Sequence, residues 1–348
     1  MKKWCISFIA AFLAFILLFG GLTIAADPFF HYHKPLSFLS YYMPDRDERY
    51  LNDGIVKHFD YDSIITGTSM TQNFRASEFD ELFKAHCVKV PLSGASYREI
   101  NELLIRAFAA DKDIRIVLRG LDYGLISAAP DEMLMEKYPD YIYDDSILND
   151  AKYVLNKEVF TLATFLDVIW YTARGGRTTT FDEYGNWNDH VTFGREAALS
   201  EYNREAKQAI VPYTPLDTGN LEQNVISLAA AHPETDFYLF FTPASILIFD
   251  EMNQKGTLEN QLKWEKEAIE LMLPYDNIHL YSFFDDFDLI TDLDNYKDKN
   301  HYREEINSYI LSCISSGEHE LTQDNYEEYC DRMWDFYTSY DYDSIFSD

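Results

Sequence analysis

Cysteine is scarce in this chain. Four of its 348 residues are cysteine (Cys5, Cys87, Cys313 and Cys330), and none stands in a CxxC or CxH spacing. That excludes a thiolate metal site and a scaffold built on disulfides. Cys5 lies ahead of the core of an apolar N-terminal run, the wrong place for a lipoprotein cleavage signal, and no spacing supports a bridge between Cys313 and Cys330. Basic residues are also few, 29 Lys and Arg against 59 Asp and Glu, for a formal charge of -30. Such a chain is repelled by nucleic acid phosphates, so DNA and RNA are excluded as natural partners, and a bare polyanion is disfavoured as substrate. No apolar run of membrane-spanning length follows the first 26 residues, so the body is expected to be soluble.

What is present is apolar mass and one strong targeting signal. Hydrophobic residues make up 47% and aromatics 16%, enough for a substantial core in one large domain or two small ones. Met-Lys-Lys precedes an uncharged run from Trp4 to Ala26, which meets the ~20 residues a helix needs to cross a bilayer. Residues 1–26 therefore read as a transmembrane anchor, with Lys2 and Lys3 holding the N-terminus in the cytoplasm and the body outside. The alternative is a signal segment cleaved near Ala26, because TIAAD offers small residues at a cut, leaving a secreted protein. Residues 27–58 are aromatic and broken by proline, a juxtamembrane segment packing on the domain. His31 and His33 within it have no companion carboxylate or cysteine cluster, so packing and not metal binding is expected of them.

From residue 59 a rhythm sets in. YDSIITGTS, HCVKVPLSGAS, DIRIVLRGLDYG, DFYLFFTPAS and NIHLYSFFDD are five strand-like runs, each ending in a polar or glycine-containing loop. Between them lie helical periods, with Ile100, Leu103, Leu104, Ala107 and Phe108 on one face and Leu258, Leu262, Ile269 and Met272 on another. Strands alternating with helices imply an α/β domain over 59–318 with a five-stranded parallel sheet covered on both sides, its chemistry at the C-terminal strand ends. The stretch 124–218 is too long for a loop and reads as a helical cap inserted over those ends. Its Trp170, Tyr184, Trp187 and Phe193 either glue the cap to the domain or stack on a ligand. Residues 319–348 read as a helical tail, with Tyr326, Cys330, Met333 and Tyr337 at helical spacing.

Two of the loops carry chemistry. Ser69, in ITGTSMTQN, follows the first strand in a tight turn. A hydroxyl there needs a base within hydrogen-bond reach to act as nucleophile, and its backbone N–H is free to bind an oxyanion. The same letters suit a helix N-cap. His301, in NYKDKNHY, is a candidate base, since imidazole titrates near neutrality, and Asp298 three residues earlier can fix its tautomer. Asp298 and Asn300 suit the cap of the last helix equally well.

Taken together, GTS (Gly67–Ser69), PLSGAS around Gly94 and DKNH (Asp298–His301) resemble, in order, the first, second and last blocks of the SGNH (GDSL-like) hydrolase family. The resemblance covers about 60–122 and 235–316. It implies a three-layer α/β/α sandwich similar to flavodoxin, with Ser69 as nucleophile, His301 and Asp298 completing the triad, and the N–H groups of Ser69 and Gly94 holding the oxyanion. With the N-terminal anchor, it is narrower still: the chain resembles membrane-anchored envelope proteins of teichoic acid D-alanine transfer and alginate acetylation. That implies an acylated envelope polysaccharide or acyl donor as substrate and a membrane-bound O-acyltransferase as partner. No cofactor or metal is implied.

The chain departs from the family at the third block, Gly-x-Asn-Asp, where RGLDYG places Asp122 in the position of the asparagine. A carboxylate accepts hydrogen bonds and repels an oxyanion. Either Asp122 is turned away or protonated, or Asn73 or Arg119 supplies the missing donor. The departure leaves two expectations: a serine acyl-ester hydrolase or O-acyltransferase of restricted activity, or a non-catalytic glycan-binding or scaffold partner of a membrane-bound O-acyltransferase.

Overall fold

The computed structural model describes residues 2–110, 112–135, 139, 141–144 and 146–347. Its first element is a helix, α1 (Lys2–Ala26), whose side chains from Trp4 onward are apolar and mostly exposed until its last turns. A second helix, α2 (Glu48–His58), is amphipathic and buries Leu51, Ile55 and Val56. The sheet then begins with β1 (Ser63–Thr66), followed by α3 (Ala76–Phe83), β2 (Cys87–Lys89), α4 (Tyr97–Ala109) and β3 (Ile116–Leu121). α4 starts where it does because Ser96 and Glu99 form a reciprocal capping box, each side chain taking the other's backbone N–H. Three more strands follow, β4 (Asp236–Phe241), β5 (Ile278–Ser282) and β6 (Glu320–Leu321).

The sheet order is β2-β1-β3-β4-β5-β6, parallel throughout except that β6 runs antiparallel to β5. The fold is thus α/β with a mixed sheet of six strands, not the five-stranded parallel sheet expected. The added strand comes from the start of the tail. Its two residues pair Leu280 with Leu321 and Tyr281 with Glu320, too short a run to carry a period. Every residue of β1, β2 and β3 is buried, as strands covered on both faces must be.

The tail is built into the domain. Its helix Tyr326–Ser339 buries Tyr329, Met333 and Tyr337. Tyr329 and Tyr123 donate their hydroxyls to the two oxygens of fully enclosed Glu265, at 2.5 and 2.8 Å. The described residues of the insertion 124–218 are shared among several surfaces. Val159–Trp170, a helix of π type continued by Tyr171–Ala173, packs on α1. Residues around 180–190 approach the end of β1. Residues 208–216 run alongside the helices Ile246–Lys255 and Leu258–Met272, through Gln208 N–H to Gln254 O and Leu216 N–H to Glu267.

Candidate active site

Gly67 makes the turn after β1. It adopts φ +147, and a Cβ there would lie 2.6 Å from Thr71 Cγ2 and 3.3 Å from the Gly120 backbone nitrogen, so the turn can close only on glycine. Ser69 then opens a 3₁₀ turn, Ser69–Thr71. The cap of that turn is Thr68, whose hydroxyl accepts the Met70 N–H, so the Ser69 hydroxyl is left for other work.

The loop is pinned on every side. Met70 O accepts from Tyr302 Oη (3.3 Å) and Asn307 Nδ2 (3.2 Å). Lys89, wholly buried on β2, donates Nζ to the carbonyls of Gln72 (2.5 Å) and Phe74 (2.8 Å). Burial pushes that ammonium down to about 7, against the pull of Asp182 and Glu48. Glu48 of α2 accepts from Gln72 Nε2 and from the Ser93 N–H, and burial raises its carboxyl to about 7. Trp187 donates its backbone N–H to Asn73 Oδ1 (3.0 Å) and its indole N–H to Ser69 O (3.3 Å).

The second half of the site is the loop 296–302, closed by a bridge between Tyr296 and Tyr302. Asp298 Oδ1 accepts the backbone N–H groups of Asn300 and His301, both at 2.8 Å. The last helix of the sheet domain starts only at Glu304 with Arg303 at its cap position, so Asp298 and Asn300 do not cap it. The carboxylate instead closes its own turn and holds His301 Nδ1 at 2.8 Å. Burial alone would raise the Asp298 carboxyl. The hydrogen bond and charge of the His301 ring and the two backbone donors outweigh it and hold the group well below the usual carboxylate range. An ionised partner at Nδ1 fixes the proton there and leaves the Nε2 lone pair outward. Nε2 lies 2.8 Å from Ser69 Oγ. The rings of Trp187 and His301 form a T-shaped pair, with centroids 5.5 Å apart and planes at 85°.

Gly94 sits at φ +64 in an exposed turn, brought beside the Ser69 loop by the Leu92 N–H donated to Gly67 O at 2.8 Å. Among the described residues the N–H groups of Ser69 and Gly94 donate to nothing. Of the two other proposed donors, Arg119 is engaged elsewhere. Arg119 is a core clamp: its guanidinium gives Nη1 to Asn224 O and Nη2 to Tyr97 O and lies over the Tyr97 ring, so it is not an oxyanion donor. Asn73 accepts the Trp187 N–H on Oδ1, which fixes its amide and leaves Nδ2 buried without a hydrogen-bond partner among the described residues. Asp122 accepts from Thr68 Oγ1 at 2.8 Å and from Thr242 Oγ1 at 3.4 Å. Burial raises its carboxyl, partly offset by the Thr68 bond, the nearby His301 charge and the Thr242 bond.

Trp187 is also the wall of a polar cleft of about 630 Å³, whose lining includes Tyr42, Arg75, Tyr171, Asn186 and Glu304. Glu48 and Lys89 escaped the sequence reading. For Lys89 a signal was there, a lysine at the centre of the buried run CVKV. His31 and His33 are tied into packing, His31 to Asp150 and His33 to the carbonyls of Ile24 and Lys34.

No protein-family model matches the chain, and no curated protein matches it. Among solved structures it is similar to a protein provisionally described as a platelet activating factor from Streptococcus pneumonia, at 14% identity and a TM-score of 0.37, over 78% of this chain and 89% of that one.

Proposed function

We propose that the chain is an extracytoplasmic serine acyl-ester hydrolase or O-acyltransferase of SGNH type, with a three-layer α/β/α domain, acting on an acylated envelope glycan. One observation carries the reading: a continuous hydrogen-bonded line from Ser69 Oγ through His301 to Asp298, with 2.8 Å at each link. In this mechanism Ser69 Oγ attacks the acyl carbonyl carbon while its proton passes to His301 Nε2. Asp298 stabilises the imidazolium, and the free N–H groups of Ser69 and Gly94 receive the oxyanion. Collapse expels the alcohol, which takes the proton from His301, and leaves an acyl-serine. Water then gives hydrolysis; a glycan hydroxyl gives transfer. The polar cleft beside Trp187 suits a hydroxyl-rich chain, with two tyrosines as stacking faces.

Asp122 favours a second reading, a non-catalytic glycan-binding or scaffold partner of a membrane-bound O-acyltransferase. A carboxylate in place of an amide donor costs about a hundred- to a thousandfold if it faces the oxyanion. Labelling the purified full-length protein with a fluorophosphonate separates the two. The catalytic reading requires an adduct that Ser69→Ala abolishes; a folded protein that forms none is the partner.

A further inference from the structure

We infer that the helix Val159–Trp170 is a second membrane contact, inserted into the outer face of the bilayer beside α1, which sets one end of the polar cleft at the membrane surface. The inference rests on α1 being a membrane anchor. The helix VFTLATFLDVIW has one charged residue, Asp167, and that residue is neutralised by Arg46 at 2.5 Å. Val159, Ala163, Thr164 and Val168 are turned inward, whereas Leu162, Phe165, Leu166 and Trp170 are each 44–49% exposed. Such a row of large apolar side chains in water marks an unfilled contact.

The anchor itself says what fills it. The span of α1 from Lys3 to Ala26 is 24 residues, about 36 Å long at 1.5 Å per residue, against a hydrocarbon layer of about 30 Å. Nearly all of α1 is needed to cross, so residues 19–23 lie within or at the edge of the apolar layer. Those residues are the ones the insertion packs on. Phe160 meets Phe19 edge-on at 4.4 Å, and Thr164 bonds Thr23 through their hydroxyls at 3.3 Å. Gly20 is small enough to admit Val154, since a Cβ there would lie 2.9 Å from Val154 Cγ1. The first turns of the helix are therefore at lipid depth wherever α1 spans, and Leu18 and Leu22 of α1 are exposed there as well. Trp170 closes the row with Arg174 over its ring, the aromatic-and-basic pairing of a headgroup layer. Directly beyond it, Tyr171 meets Tyr42 at 5.7 Å, and both line the cleft. A substrate held on the membrane would then meet the cleft at that end.

The test uses full-length protein with Cys5→Ala, reconstituted alone in phosphatidylcholine–phosphatidylglycerol vesicles, with Phe165→Cys or Leu162→Cys carrying an environment-sensitive NBD label. Ile105→Cys on α4, 49% exposed, is the water-facing control. The labels at 162 and 165 are expected to emit blue-shifted and to lose intensity severalfold with doxyl-labelled lipid, while the label at 105 does neither. Floated protein in which 162 and 165 behave like 105 overturns this inference alone. Protein that does not float with the vesicles overturns the anchor as well.

Discussion

Glu48 accepts the backbone N–H of Ser93 at 2.8 Å, and its other oxygen accepts the side chain of Gln72. One buried carboxyl group thus clamps the loop that carries Gly94 to the loop that carries Ser69. Glu48→Ala leaves both donors unpaired and the relative position of the two free N–H groups unfixed. It is expected to slow fluorophosphonate labelling about tenfold or more, with Glu48→Gln restoring most of the rate because one amide oxygen still accepts from Ser93. Equal rates for wild type and Glu48→Ala would show that the clamp is structural only.

The same residue shapes stability. Its carboxyl is raised to about 7 in the fold, against 4.5 unfolded. Between those values the folded state holds a proton that the unfolded state has lost, so this contribution is fully present below pH 4.5 and is lost as pH rises to 7. The loss is on the order of 3 kcal/mol, and denaturant titrations of wild type against Glu48→Gln at pH 5 and pH 7 are expected to differ in slope by that sign.

Asp298→Asn keeps the shape of the 296–302 turn but can present its amide N–H to His301 Nδ1, driving the ring proton to Nε2, where it faces Ser69. Labelling is expected to fall about ten-thousandfold, as the wrong tautomer removes the base. A backbone unaltered by circular dichroism would locate the loss in the ring and not in the turn.

Asp122→Asn replaces the carboxylate with the amide that the third family block carries. If the group faces the oxyanion, labelling is expected to quicken about tenfold or more. An unchanged rate would mean that the hydroxyls of Thr68 and Thr242 hold it aside.

Lys89→Met keeps the aliphatic stem but supplies no donor to the carbonyls of Gln72 and Phe74. Two buried acceptors left bare are expected to cost about 3 kcal/mol, read as a lowered Tm at pH 6, where the wild-type ammonium is charged. Because burial lowers Lys89 to about 7 in the fold from 10.5, the unfolded chain holds the extra proton between those values, and wild-type stability from this group rises over that range.

The turns that bring Ser69, Asp298 and His301 together are legible in the sequence because turn chemistry is local: a Gly-Thr-Ser turn after an apolar run and a carboxylate closing a four-residue loop use few letters. The clamps are not. Glu48 meets partners 24 and 45 residues away, and nothing in the amphipathic pattern of α2 marks it. Arg119 shows the converse. Its neighbourhood in sequence suggested the oxyanion loop, but its side chain leaves β3 toward the carbonyls of Tyr97 and Asn224. The β6 pairing rests on two residues in a segment whose helical spacing dominates.

A peptidase needs an extended, accessible segment, whereas here α1 continues through Ala26, with Thr23, Ala26 and Asp27 buried. Asp27 accepts the N–H groups of His31, Tyr32 and His33 and the hydroxyl of Tyr153, binding the end of α1 to the insertion. Burial raises its carboxyl against those bonds, so protonation in the fold comes more easily than in the open chain. Cutting after Ala26 would also strip Phe19, Gly20 and Thr23 from the surface they cover on residues 154–164. The purified protein is therefore expected to retain residues 1–26 by intact mass. A mature N-terminus at Asp27, with the protein in the medium, would show that α1 leaves before the domain closes around it.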